Sequence, residues 1–111
     1  MALFTRTAPA PACERLALFA TLDACFTADL AAVIGSDLPQ HDLDFTRFIY
    51  LVEEVRDVLG ASGHRPWQEA SKDLDIAADH LTDALTAPAE DQAAALAWAR
   101  THLRDAITAA T

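Results

Sequence analysis

The chain has 111 residues, a formal net charge of −9, and 25 alanines among its 52% hydrophobic residues. That length makes one domain with a modest core, and alanine favours helices that approach closely over a large aromatic interior. The charge, with no basic cluster denser than Arg100 and Arg104, excludes a nucleic-acid duplex or an anionic membrane surface as a partner.

Three glycines and no alternating β-branched run leave strands without support. A single Lys, no Asn and abundant Ala, Asp and Arg point to the codon usage of a high-GC bacterial source. Residues 1–11, with Ala8-Pro9-Ala10-Pro11-Ala12, read as a loose arm. They do not read as a signal peptide, because the small-residue segment precedes the apolar stretch that it should follow. Glu14, Asp23 and Asp29 exclude a membrane span.

Residues 12–111 form the helical domain. The first helix is expected over 12–34, with Gly35 as its C′ residue. Leu16, Phe19, Leu22, Phe26, Leu30 and Val33 share one face at helical spacing. Asp23 falls inside that stripe, within roughly 40° of its centre. Cys13 and Cys25 are separated by about 18 Å along the same helix, too far for a disulfide. Two reduced thiols suit a cytoplasmic protein. A loop containing Pro39 follows over 36–41.

The second helix is expected over 43–59, with Asp42 as N-cap and Gly60 as a stop. Its stripe is Phe45, Phe48, Val52, Val55 and Leu59, widened by Ile49, Leu51 and Val58. The turn 60–65 leads to a third helix over 66–86, where Pro66 sits in the first turn at little cost. Trp67, Leu74, Ala78, Leu81 and Leu85 face inward. The fourth helix starts near Pro88, with Glu90 and Asp91 favourable in its first turn. Leu96, Ala99, Leu103 and Ile107 face inward. Four amphipathic helices of similar length on short loops predict an all-α, antiparallel up-down-up-down four-helix bundle.

One stretch occurs twice. His80-Leu81-Thr82-Asp83-Ala84-Leu85-Thr86-Ala87 matches His102-Leu103-Arg104-Asp105-Ala106-Ile107-Thr108-Ala109 at six of eight positions. The His-x-x-Asp spacing invites a metal reading, with two nitrogens and two carboxylates. In an antiparallel hairpin turning at 87–88, however, the two histidines differ in height by about 10 Å. A single ion cannot bridge that, and neither a metal nor a cofactor is expected. The same rule places Asp73 level with His102, which makes them candidates for a cross-helix pair. Glu53-Glu54-x-x-Asp57 resembles the acidic helix pattern of all-α nucleotide pyrophosphohydrolases. That chemistry needs carboxylates from two helices converging on Mg²⁺, whereas these three fall on an outer face and lack a partner motif. No phosphate loop, nucleophile elbow or Cys-x-x-Cys pair is present, and His41 and His64 read as solvated loop residues.

Two functions from different classes follow. The first is a self-associating protein-interaction module. Trp98 points about 140° and Ile76 about 150° away from the apolar centres of their helices, at one level of the hairpin. Ala94, Ala95 and Ala77 beside them would allow close approach. Asp79, His80, Asp83, His102 and Asp105 would form the polar rim of a homodimer or other protein contact, sensitive to mild acid through its histidines. The contact residues are then Ile76, His80, Trp98 and His102. The alternative is a small-molecule-binding protein or small enzyme with a pocket inside the bundle around Asp23, among Phe19, Phe26, Phe45 and Phe48. Asp23 is level with residue 54, so Arg56 is its expected partner; left unpaired, Asp23 would serve as a general acid or base.

Overall fold

In the computed structural model, residues 26–35 and 45–111 are described. Helix α1 covers residues 26–33, α2 runs Phe45–Gly60, α3 Arg65–Thr86 and α4 Ala89–Ala110. The protein is an all-α four-helix bundle, with no strand among the described residues. The N-terminal arm, Cys13, Asp23, Cys25, the loop over 36–41 and the Asp42 cap lie outside the described residues.

Each helix boundary has a local cause. Helix α1 gives way to a turn in which Gly35 adopts φ 67, and its amide donates to the Ala32 carbonyl at 3.2 Å. That backbone is the left-handed C′ conformation glycine adopts without a Cβ penalty. Helix α2 instead includes Gly60 as its last residue, at no positive φ. The helix ends at this expected stop, and the glycine also packs: a Cβ there would lie 2.8 Å from Ser71 Oγ. Ser71 Oγ uses that space to donate to the Arg56 carbonyl at 2.8 Å, which ties α3 to the last turn of α2.

Residues 61–64 connect α2 to α3. Ser62 Oγ accepts the His64 amide at 3.0 Å, and Gln68 Nε2 reaches back to the Ser62 carbonyl at 2.8 Å. Pro66 sits in the first turn of α3, as its missing N–H allows. Two residues, Ala87 and Pro88, separate α3 from α4. The Pro88 carbonyl accepts the Asp91 and Gln92 amides, both at 2.9 Å, starting α4 at once.

The two long helices close on each other reciprocally. Trp67 Nε1, in the first turn of α3, donates to the Ala110 carbonyl at the end of α4, at 3.1 Å. Gln92 Nε2, in the first turn of α4, donates to the Ala84 carbonyl in the last turn of α3, at 2.8 Å. Terminal helix carbonyls lack intrahelical partners, so each helix caps the other's end, and α3 and α4 run antiparallel.

One core joins all four helices. Helix α1 contributes Phe26 and Leu30; α2 contributes Phe48, Ile49, Leu51, Val52, Val55 and Leu59; α3 contributes Leu74 and Leu81; α4 contributes Leu96 and Leu103. Buried alanines at 70, 77, 78, 84, 99 and 106 fill the rest, which lets the helix backbones approach. Trp67, Leu85 and Ile107 pack partly buried against this core, as expected. Val58 is 44% exposed and leaves the α2 stripe assigned to it. It follows the buried Val55 by three residues and precedes Leu59 by one, so it falls at the edge of the buried stripe. Ala77 is fully buried rather than flanking Ile76 on the outside.

Candidate functional site

The outer surface of α3 and α4 carries the side chains singled out from the sequence. Trp98 is 58% and Ile76 41% exposed, the outward placement their helical spacing predicts. His80 and His102 are half-buried beside them.

Three rings converge there. The Trp98 centroid lies 6.3 Å from His80 and 6.4 Å from His102, and the two imidazoles lie 6.1 Å apart. The interplanar angles are 19°, 27° and 15° in the same order. The rings are therefore nearly parallel, at the corners of a nearly equilateral triangle. His102 Nδ1 donates to Asp73 Oδ1 at 3.1 Å, the cross-helix pair that the hairpin register predicts. A carboxylate oxygen only accepts, so this contact calls for the proton on Nδ1 and orients the His102 ring.

The histidines are closer than the 10 Å expected from backbone height. Every Cα–Cβ bond tilts toward its own helix N-terminus. On antiparallel helices these tilts oppose, so His80 leans toward the level of His102 and His102 leans toward His80. The same tilt carries Trp98 toward His80, while His102 is its neighbour one turn further along the same helix. Even so, no group of three or more metal-type ligands occurs among the described residues.

Arg56 and Asp23, the candidate interior pair, divide between described and undescribed residues. Arg56 lies on the rim of the α2–α3 seam. Its Nε donates to Asp57 Oδ1 and its Nη1 to Asp75 Oδ1, each at 3.0 Å, with Glu53 at 4.0 Å. The hydrogen bond to Asp57, opposed by partial burial and aided by Asp75, raises the guanidinium above its ordinary value. Asp23 lies outside the described residues. Glu53, Glu54 and Asp57 are partly to fully exposed. A hollow of about 300 Å³ is lined by Asp29, Ala32 and Val33 of α1 with Ile107, Ala110 and Thr111. It is open and has no convergent polar set.

Sequence reading missed Gln92. Its side chain is fully buried, and Oε1 has no hydrogen-bond partner while Nε2 caps Ala84. A Gln next to Glu90 and Asp91 resembles an ordinary solvated first turn. The available signal was its position, four residues before Leu96 on the apolar stripe of α4. Tyr50, 64% exposed on α2, was also unassigned.

Among the described residues no helix is long and apolar enough to cross a membrane. Compared with protein-family models, with curated proteins and with solved structures, the chain matches none. The class that fold and surface define is a small all-helical bundle with an aromatic cluster on its outer face.

Proposed function

We propose that the protein is a self-associating interaction module whose contact face is the outer surface of α3 and α4. One observation carries this reading: Trp98 is largely exposed yet flanked by two imidazoles, one of them tied to Asp73. An exposed indole in a fixed orientation loses little rotamer freedom on contact, and Trp is a frequent interface anchor. Ile76 extends the apolar area on α3, while Asp79, Asp83 and Asp105 supply a polar rim.

A second copy of the chain is the partner best suited to this face. Two-fold association requires one self-complementary patch, and the patch meets itself apolar centre to apolar centre. A strongly acidic chain also needs an apolar drive to overcome its own repulsion. The setting we assign is the cytoplasm of a bacterium, supported by composition and by two cysteines that one predicted helix holds apart.

Sedimentation velocity tests the proposal. The wild type should sediment as a dimer at high micromolar concentration, and Trp98→Asp as a monomer with unchanged far-UV circular dichroism. A wild type that stays monomeric, or a Trp98→Asp variant that stays dimeric, refutes this contact face.

A further inference from the structure

We propose that the His80–Trp98–His102 cluster is a proton-operated gate on Trp98: it holds the indole while at most one imidazole is charged, and releases it when both are. The device lies within a single chain and does not require self-association.

The geometry carries the argument. Among the described residues, one carboxylate touches the cluster, Asp73 at 3.1 Å from His102 Nδ1. One imidazolium at His102 is therefore compensated directly, and the neighbouring indole face attracts it further. A second imidazolium at His80 has no such partner in contact. It faces the first at a centroid separation of 6.1 Å, inside the Debye length of about 8 Å at physiological salt, so solution ions screen the repulsion incompletely. The triangular arrangement puts no ring between the imidazoles to shield them. The other charged residues around this flank are Glu69, Asp79 and Asp83 on α3, and Asp91 and Asp105 on α4. Glu69 is engaged by Arg65 at 3.6 Å. Asp83 follows His80, and Asp105 follows His102, by three residues on the exposed surface. They soften the field without separating the rings.

The movable part is also identifiable. His102 is anchored through Nδ1, and Trp98 lies one turn before it on the same helix. Among the described residues, His80 makes ring contacts to Trp98 and His102 and no ion pair. When both imidazoles are charged His80 swings to solvent, and one side of Trp98 becomes accessible. The sign follows directly: the gate is closed in mildly alkaline solution and opens on acidification.

Acrylamide quenching reads the gate at low micromolar concentration, in a Trp67→Phe background where Trp98 is the remaining tryptophan. Between about pH 8 and pH 5 the quenching constant should rise by roughly twofold, while far-UV circular dichroism stays constant. Adding His80→Gln should abolish the rise, because one imidazole alone meets no like charge. A flat quenching profile overturns the proposal. So does an equal rise in the His80→Gln chain, or a rise that tracks loss of helicity. If Trp67→Phe does not fold, the native chain labelled with 5-fluorotryptophan gives the same readout. The solvent isotope shift of the Trp98 ¹⁹F resonance should then grow on acidification in the wild type and not in His80→Gln.

Discussion

Among the described residues, helix α3 packs chiefly against α2 and α4, and it meets them in different ways. The buried face of α2 carries large side chains, Phe48, Leu51, Val52, Val55 and Leu59. From α4 come Ala99 and Ala106 alongside Leu96 and Leu103, facing buried alanines on α3 itself. The polar ties differ in parallel. The α2 seam has a rim-exposed arginine cluster and one serine hydroxyl bond. The α4 seam has two capping side chains at opposite ends and a half-buried His–Asp pair between them. Large side chains specify register by shape, because their volumes interlock. Alanine walls slide more easily, and on that side directional hydrogen bonds at the helix ends set the register.

The strongest way to break this contrast is to remove volume from the α2 side. Phe48→Ala should destabilise by about 3–5 kcal/mol, since it deletes a fully packed ring and leaves a cavity. Urea unfolding followed by circular dichroism measures it; a loss below about 1 kcal/mol would mean the site collapses and the seam is not shape-determined. The complementary change adds volume to the α4 side. Ala77 is fully buried, four residues after Asp73 and three before His80. Ala77→Leu should cost about 1–3 kcal/mol by forcing the helices apart. It should also disturb the Asp73–His102 contact, visible as a shift of the His102 imidazole NMR signals. Little change in either readout would show that α3 and α4 do not approach closely.

The bundle itself was legible because its signal is periodic. Leu74, Ala78 and Leu81 on α3, and Leu96, Ala99 and Leu103 on α4, fall at helical spacing and are buried. The outward placement of Trp98 and Ile76 came from the same arithmetic, as did the Asp73–His102 level match. What periodicity could not supply was side-chain direction and reach. Height along the axis separated His80 from His102, and only the opposed Cβ tilts of antiparallel helices bring the rings together. Gln92 was missed because amide side chains carry no apolar signature even when they cap a neighbouring helix. Gly60 ends α2 as its position predicts, but glycine has two uses at a helix end, conformational freedom and small size. Choosing between them requires knowing that Ser71 packs against it.

That last pair offers a smaller and sharper test of the α2 seam. In the wild type, Gly60→Ala pushes its Cβ against Ser71 Oγ. The gain of about 1 kcal/mol in helix propensity is then offset by losing a hydrogen bond worth about 0.5–1.5 kcal/mol. The single variant should be close to neutral. In a Ser71→Ala background the clash is gone, and Gly60→Ala should stabilise by about 1 kcal/mol. A double-mutant cycle from thermal unfolding isolates this coupling, and strict additivity would refute the packing role of Gly60.

The effect expected at Arg56 is also small, and its size discriminates between two surroundings. The carboxylates it touches, Asp57 and Asp75, are 70% and 60% exposed. Pairs of that kind contribute up to about 1 kcal/mol and are screened by salt, so Arg56→Met should destabilise by less than this, and less again in high salt. The pH dependence has a definite sign. Because its neighbours raise the guanidinium above the ordinary arginine value, the contribution of its charged form is complete below the unfolded value. It is lost only as strongly alkaline solution titrates the folded protein. Loss of the arginine should thus cost the same at pH 6 as at pH 9. The sequence also pairs Arg56 with Asp23 on the apolar face of the first helix. A carboxylate buried there and stripped of its partner would cost about 3–5 kcal/mol, far above what the rim contacts supply. A loss of that size, insensitive to salt and abolished in an Asp23→Asn background, would show that Arg56 reaches inward as well as along the rim. A small, salt-sensitive loss confines it to α2 and α3.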